Sequence, residues 1–177
     1  MMPDRDNIAM KLKSVIERDR SSTSLKLPTI RILDMPVTDS AQDTLKAVQL
    51  MVKAKIGAIV VLGGDGTHRL VAHACGQTPM ACISTGTNNA FPGNPEATTA
   101  GLAAGAVGRR LVTPDIVCNS NKRLCVRVNC QDTIPALVDV CITTDTQTGT
   151  RALWRSDRLR KLFLTFAEPG QVGLSSI

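Results

Sequence analysis

The stretch IGAIVVLGGDGTHRLVAHAC, residues 56–75, decides the fold of this chain of 177 residues. It opens with β-branched and small apolar residues over 56–62, which is typical of a strand covered on both faces of a parallel sheet. The run stops at Gly-Gly-Asp-Gly, residues 63–66. A helical pattern follows from Thr67, and Gly76 closes it as a typical C-terminal cap. The sequence therefore predicts a strand, a glycine turn and a helix, in that order.

Asp65 lies almost alone in a segment with few charges. Only five charged residues occur between positions 56 and 110, although 20% of the whole chain is charged. The glycines at 63, 64 and 66 let the backbone take positive φ and let a ligand approach the amides without meeting a Cβ. Amides at a turn and at a helix start bind anions, above all phosphate. Asp65 would then hold Mg²⁺, accept a hydroxyl proton or bind a ribose hydroxyl.

A simpler interpretation of the glycine turn stays open at this point. Gly-Asp-Gly also forms ordinary tight turns, in which Asp65 or Thr67 only caps the following helix. Neither of the common phosphate-binding signatures, G-x-G-x-x-G and G-x-x-x-x-G-K-[ST], occurs in the chain. The turn must therefore be judged together with its surroundings.

A second polar loop follows the next predicted strand, residues 80–84. Because ligands of open α/β sheets bind at the carboxyl ends of the strands, residues 84–89 should open beside the glycine turn. Four of their side chains suit ribose, phosphate or an amide: Thr85, Thr87, Asn88 and Asn89. The alternative is an Asn-rich loop that caps the next helix.

Helical and strand patterns alternate through the first 110 residues, which predicts parallel βαβ units. They predict helices over 6–19, from Thr38 or Asp39 to about 54 and over 96–107, and a strand over 29–35. From position 111 the pattern changes to alternating strands, LVTPDIVCN, RLCVRVNCQ and PALVDVCITT. The predicted fold class is α/β: a Rossmann-like domain, 1–110, that lacks a first strand, then an incomplete antiparallel β-rich domain, 111–177.

The composition excludes several classes of protein. The formal charge of +6 is spread along the chain and only 2% of residues are aromatic, so nucleic acid is not a predicted partner. The start, MMPDRDNIAM, shows no secretory signal, and no apolar run approaches the roughly 18–20 residues of a membrane span. We therefore predict a cytoplasmic protein. Apolar surroundings without C-x-x-C pairs predict buried, reduced thiols for all six cysteines, Cys75, Cys82, Cys118, Cys125, Cys130 and Cys141.

The two polar loops together resemble those of known kinases. GGDGT at 63–67, followed by TGTNN at 85–89 and Phe91, resembles the superfamily that joins NAD kinases with diacylglycerol and sphingosine kinases. The chain as a whole resembles the acetoin-catabolism protein X family of ATP-NAD kinase-like proteins. The stretches that carry this second resemblance are ILDMPVTDSAQDTLKAV, IVVLGGDGTHRLVA, STGTNNAFP, TRALW and LTFAEPGQVGLSSI.

The resemblance implies which residues act. It implies that the GGDGT turn binds the phosphates of ATP together with Mg²⁺, and that Asp65 is the catalytic or metal-orienting acid. In NAD kinases an Asn-acid pair of the β-rich domain binds the dinucleotide, and Val138-Asp139 stands at that place here. The implied nucleotide-binding residues are Gly63, Gly64, Gly66, Thr67, Thr85, Gly86, Thr87, Asn88, Asn89 and Asp139, with NAD as a candidate substrate.

The implied function is an NAD kinase-like phosphotransferase of acetoin catabolism, which uses ATP to phosphorylate a hydroxyl of a dinucleotide or small metabolite. Relatives hold ATP phosphates partly through an Asn-Pro-x-x-Gly loop that has no counterpart here. Because phosphoryl transfer depends on positioning, a non-catalytic nucleotide-binding or regulatory protein is the alternative, and a structural role is the third. Unpaired strand edges in the β-rich part predict a homo-oligomer.

Several charged residues near these motifs have two interpretations each. His68 either faces a phosphate or is partly exposed and inert, whereas His73 is predicted to pack against the core. Arg69 follows Asp65 by four residues, so it either pairs with that acid or binds phosphate. Three further arginines would share one face of a helix: Arg151, Arg155 and Arg158. This face is either solvated or contacts a phosphate through Arg151.

Overall fold

The computed structural model describes residues 2–3, 7–20, 28–86, 89–91, 95–129, 133–146, 156–169 and 173–174. Its helices are α1 (Ile8–Arg20), α2 (Ala41–Lys53), α3 (Asp65–Ala74), α4 (Ala97–Gly108) and the short α5 (Pro114–Val117). Its strands are β1 (Ile59–Gly63), β2 (Met80–Ser84), β3 (Leu124–Val126), β4 (Ile134–Ala136), β5 (Asp139–Thr143) and β6 (Leu159–Leu164).

A parallel βαβ unit forms the centre of the chain. β1 and β2 pair in parallel from Ile59 opposite Met80 to Gly63 opposite Ser84, with α3 as the connection between them. Both strands therefore end at the same edge of the sheet, as the alternating pattern predicts. Gly76 has a φ of 61° just after α3, which suits its predicted place at the end of that helix.

The core lies on one face of this unit. It consists of Val48, Ile59, Val61, Val71, Cys75 and Cys82. The prediction of a strand buried on both faces is wrong for β1, because its side chains alternate: Val60 is 47% exposed and Leu62 is 61% exposed. The buried face of β1 meets core side chains from α2 and α3. Its opposite face is thus only partly covered.

The start of α2 differs from the predicted caps by one or two residues. Ser40 is the N-cap, and its hydroxyl accepts a hydrogen bond from the Gln42 N–H in a capping box with Asp43. Thr38 instead donates its hydroxyl to the Asp43 carboxylate at 2.7 Å. Asp39 has a φ of 56°, outside the extended conformation of an N-cap residue, which explains why it does not cap the helix.

The predicted strand over 29–35 is reduced to a single parallel bridge between Ile32 and Met2. Met2 N–H donates to the Arg31 carbonyl at 3.1 Å, and Leu33 N–H donates to the Met2 carbonyl at 2.9 Å. One isolated bridge thus precedes α1. The absence of a first strand stays a prediction.

The second part of the chain contains antiparallel pairs, β3 with β4 and β5 with β6. The predicted fold class, parallel α/β followed by antiparallel strands, is confirmed. The predicted strand over LVTPDIVCN is wrong, because Pro114 opens α5, and the fixed φ of proline suits the first helical position. The domain boundary near position 110 stays a prediction.

The predicted helical face of arginines is also wrong where the structure describes it. Arg158 ends a 3-10 turn, Ser156–Arg158, that leads directly into β6, and its Nε lies 3.9 Å from Asp145 Oδ1. Arg151 and Arg155 lie outside the described residues.

The described cysteines are free thiols: Cys75, Cys82, Cys118, Cys125 and Cys141. The predicted burial holds for Cys75 and Cys82, and burial raises the pKa of the Cys82 thiol to about 11. Cys118 and Cys125 are exposed, which corrects the prediction for them, because their segment forms short strands and loops at the surface. Cys130 lies outside the described residues. No described helix is long and apolar enough to cross a bilayer.

Candidate functional site

The glycine turn passes directly from β1 into α3. Gly64 is the N-cap, with an extended backbone at φ −95° and ψ −179°, and as a glycine it has no side chain that could cap α3. The helix begins at Asp65, two residues before the predicted start at Thr67. The simpler interpretation, in which Asp65 or Thr67 caps the helix, is therefore wrong.

The glycines of the turn serve close packing rather than positive φ. The predicted positive φ at Gly63, Gly64 and Gly66 is wrong, since none of the three adopts it. A Cβ at Gly63 would lie 2.7 Å from the Cβ of Thr67, so the side chain of Thr67 occupies that space. A Cβ at Gly66 would meet nothing within 4 Å. Gly66 is thus the glycine of this turn that leaves open space.

The polar loop after β2 packs against this turn in the same way. A Cβ at Gly86 would lie 2.7 Å from Oδ1 of Asn89, and one at Gly64 would lie 3.1 Å from the same atom. The absence of side chains at both positions lets the Asn89 amide fit between the two loops.

Asp65 joins the two loops through its side chain. Its carboxylate accepts the N–H of Ala90 at 2.9 Å and the N–H of Phe91 at 3.1 Å. Its own N–H donates to Asn89 Oδ1 at 3.3 Å. The prediction that both loops meet at the carboxyl edge of the sheet is confirmed.

Asn89 connects the end of β2 to the start of α3. Its Nδ2 donates to the hydroxyl of Ser84, while its Oδ1 accepts from Asp65. The Thr85 N–H donates to the Gly63 carbonyl at 3.0 Å, one residue beyond β2. Both ends of the Asn89 amide therefore bind the protein itself, and a ribose contact by this residue stays a prediction.

The other predicted nucleotide-binding residues lie around this junction. Thr67 is partly buried, whereas Thr85, Gly86 and Gly66 are exposed. Thr87 and Asn88 lie outside the described residues. Roles of all these residues in ligand binding stay predictions.

Asp139 brings the antiparallel part of the chain to the site. It is the first residue of β5 and is half-buried. Burial, and after it the negative charge of Asp65, raise the pKa of the Asp139 carboxyl. The Asp139 carboxyl therefore lies within the electrostatic reach of the Asp65 carboxylate. This part is also attached to α3, since Arg123 donates to the Ala72 carbonyl at 3.1 Å.

Asp139→Asn is expected to stabilise the fold at neutral pH. A carboxyl whose pKa is raised by folding destabilises the fold when ionised, and this penalty fades as the pH falls through the raised pKa. The thermal midpoint of the variant should exceed that of the wild type at about pH 7, with a smaller difference at about pH 4. Asp115→Asn, at an exposed position of α5, is the control. An equal difference at both pH values would contradict the prediction.

His68 and His73 occupy environments opposite to those predicted. His68 is 0% exposed, and its Nδ1 lies 3.2 Å from the carbonyl oxygen of Phe91. The two rings meet edge to face, with centroids 6.4 Å apart. His73 is exposed. The signal for His68 was its spacing, since His68, Val71 and Cys75 follow one another at i, i+3 and i+7 on the core-facing stripe of α3.

Arg69 does not pair with Asp65, whose carboxylate instead binds the Ala90 and Phe91 amides. The Arg69 Nε is buried without a hydrogen-bond partner in the described part of the chain. Its role as a phosphate ligand stays a prediction.

The chemistry of the junction suits a phosphorylated ligand that carries a divalent cation. The positive end of the α3 dipole attracts anions, while carboxylates such as those of Asp65 and Asp139 are the oxygen ligands that Mg²⁺ prefers. Among the residues that the structure describes, no group of three or more His, Cys, Asp or Glu could hold a metal ion alone. Phosphate oxygens and water would therefore have to complete the coordination of the ion.

Both parts of the chain are similar to known protein families. Residues 6–110 match the family model of the ATP-NAD kinase N-terminal domain, and residues 122–177 match that of the Acetoin catabolism protein X C-terminal domain. The chain is 43% identical over 181 residues to a protein of Cupriavidus necator named Acetoin catabolism protein X. The alignment covers 100% of this chain and 50% of that protein, so the chain spans about half the length of this curated relative. No solved structure gives a significant match.

Proposed function

Because the chain belongs to the ATP-NAD kinase family and has a C-terminal region of the acetoin catabolism protein X type, we propose that it is an ATP-dependent phosphotransferase. It binds ATP at the glycine turn and phosphorylates a hydroxyl of a dinucleotide or small metabolite. The name of its relative in Cupriavidus necator supports a place in acetoin catabolism.

The junction made by Asp65 is the observation that carries this proposal. The acid holds residues 89–91 against the start of α3, so two loops at the carboxyl ends of parallel strands form one surface. Ligands of open α/β sheets bind at this edge. Gly66 leaves the turn open to a phosphate group.

Each residue of the surface has a role that its geometry supports. The positive end of α3 would attract the phosphates, and Asp65 and Asp139 would hold Mg²⁺, which would neutralise phosphate charge during transfer. A carboxylate has about four acceptor sites, so two amide bonds leave Asp65 able to accept a further hydrogen bond. Because these bonds hold its carboxylate in place, Asp65 would orient the acceptor hydroxyl or accept its proton.

A non-catalytic nucleotide-binding or regulatory protein is the second candidate. Both carboxylate oxygens of Asp65 bind backbone amides, which is also the arrangement expected of an acid that serves only to fix the loops. Val138 has no side-chain amide for a dinucleotide, which adds support to this candidate. Homo-oligomerisation is a further part of the proposal, supported by the exposed apolar side chains Val60 and Leu62.

Gly66→Ala is expected to weaken ATP binding roughly tenfold or more while leaving the thermal midpoint unchanged or slightly raised. The new methyl group enters open space, so it harms no internal contact but obstructs a phosphate at the turn. Calorimetric titration with Mg²⁺-ATP measures the affinity. Gly101→Ala in α4 is the matched control, because its Cβ also meets nothing within 4 Å and lies away from the turn. Unchanged affinity in Gly66→Ala would contradict the proposed phosphate site.

A coupled assay of ADP release separates the two candidates. The wild type is tested with NAD and with small hydroxylated metabolites as acceptors. ADP release that depends on an acceptor supports the phosphotransferase. If the protein binds ATP but releases no ADP with any acceptor, the catalytic role is overturned and the non-catalytic nucleotide-binding function remains.

A further inference from the structure

His68 is an unusual residue for its surroundings. It has the largest fully buried side chain among the described residues, and it lies on the face of α3 that supplies Val71 and Cys75 to the core. In the part of the chain that the structure describes, its Nε2 is buried without a hydrogen-bond partner. An unpaired polar atom in a core destabilises the fold, and an apolar side chain of similar size would avoid that loss. The residue therefore needs a reason beyond packing.

The hydrogen bond at the other nitrogen supplies that reason. A carbonyl oxygen only accepts, so the contact between His68 Nδ1 and the Phe91 carbonyl assigns the proton to Nδ1. The Phe91 N–H, in turn, donates to the Asp65 carboxylate. The backbone of Phe91 is thus bound through both its N–H and its carbonyl, by two side chains of the first turn of α3.

Neither of these contacts fixes the loop alone. The Asp65 carboxylate bonds to the N–H groups of Ala90 and Phe91, which leaves the carbonyl side of Phe91 free to turn. His68 removes that freedom by binding the carbonyl, and its ring also meets the Phe91 ring edge to face. The loop segment 89–91 is then held in one orientation relative to Asp65.

We propose that His68 is a positioning residue of the candidate site: through the Phe91 carbonyl it fixes the loop segment 89–91, and so the placement of the Asp65 carboxylate. The effect on ATP binding rests on the proposed function. The effect on the loop itself does not.

Three substitutions test this role. In His68→Asn the side-chain amide takes the place of Nδ1 and can still donate to Phe91, whereas in His68→Gln the amide lies further out, near the place of Nε2. His68→Leu fills the core without any donor. Hydrogen exchange of the Ala90 and Phe91 amides reports the loop, thermal unfolding reports the fold, and titration with Mg²⁺-ATP reports the site.

In His68→Leu, hydrogen exchange at the Ala90 and Phe91 amides should be roughly tenfold faster than in the wild type, because their bonds to Asp65 open more often. His68→Asn should keep exchange close to that of the wild type, and His68→Gln should resemble the Leu variant. ATP affinity should stay close to the wild-type value in His68→Asn and should be lower in His68→Gln and His68→Leu. The thermal midpoint need not fall in His68→Leu, since an apolar side chain removes the unpaired Nε2.

Equal exchange in the wild type, His68→Leu and His68→Gln would overturn the inference. If His68→Leu fails to fold, the comparison of Asn with Gln decides, because equal exchange in those two also overturns it. Faster exchange in His68→Gln than in His68→Asn, in a protein that does not bind ATP, would support the positioning role and reject the proposed function alone. ATP binding by all variants with unchanged exchange would reject the positioning role alone.

Discussion

Asp65→Asn is expected to reduce phosphoryl transfer by about 10²–10⁴-fold, the usual contribution of a side chain that handles the proton of the reacting group. The variant should also lose about 1–3 kcal/mol of folding free energy, the typical cost of leaving a buried donor without its acceptor. The carboxylate accepts from two amides, Ala90 and Phe91. An Asn side chain has one carbonyl oxygen, and its NH₂ group faces the second amide as a donor against a donor.

The catalytic rate and the free energy of unfolding should both be measured on the same preparation of Asp65→Asn. ADP release under saturating Mg²⁺-ATP gives the rate, and urea unfolding gives the free energy of unfolding. Asp115→Asn is the matched control, since it removes one exposed carboxylate from α5, away from the glycine turn. Full activity in Asp65→Asn would contradict a catalytic or metal-orienting role. Full activity together with full stability would also contradict the junction between the loops.

The Asp65 substitution has a second consequence at Asp139. The charge of Asp65 is one of the two causes that raise the pKa of the Asp139 carboxyl, the larger being burial. Asp65→Asn should therefore lower that pKa part of the way towards its ordinary value. Observation of the Asp139 carboxyl by NMR through an acid titration checks this directly, whether or not the protein is a kinase.

The adjacency of the two loops could be predicted because it depends on a local rule. Parallel strands joined by one helix end at the same edge, so a turn after β1 and a loop after β2 must meet. The contact between Gly63 and Thr85, and the bonds from Asp65 to Ala90 and Phe91, agree with that rule. The sequence alone was sufficient for this part of the site.

The reasons for the individual glycines could not be predicted in the same way. Gly63 and Gly86 are needed because Thr67 and Asn89 occupy the space of a side chain, and none of the glycines of the turn has positive φ. Each close approach depends on the position of a side chain that lies four residues further along the chain or in a loop. Local conformational preference carries no information about them.

The predicted environments of the two histidines are wrong because a hydrophobic pattern does not place polar residues on the buried face of a helix. The buried residues of α3 are His68 and Val71, whereas the apolar Leu70 and Ala74 are only partly buried. Hydrophobic periodicity cannot identify a polar residue on the buried face of a helix. His68 is buried because its Nδ1 has a backbone partner on another loop, which is a tertiary cause.

Gly57→Ala is expected to destabilise the fold by about 1–3 kcal/mol or more, as overpacking of a close contact does. A Cβ at this position would lie 2.8 Å from both the Cα and the carbonyl oxygen of Gly108, the last residue of α4. These are backbone atoms, so no rotamer change relieves the clash. The end of α4 would have to move away from the segment that enters β1.

Gly108→Ala is the matched control for the Gly57 substitution, because it changes the other side of the same contact. Its Cβ would lie 4.0 Å from Ala58, an ordinary van der Waals distance. Replacement of glycine by alanine within a helix should then raise stability by about 0.5–1 kcal/mol. Urea unfolding of both variants measures the difference. Because β1 leads into the glycine turn, Gly57→Ala should also weaken ATP binding, whereas Gly108→Ala should not. Equal stability of the two variants would contradict the contact between the end of α4 and the start of β1.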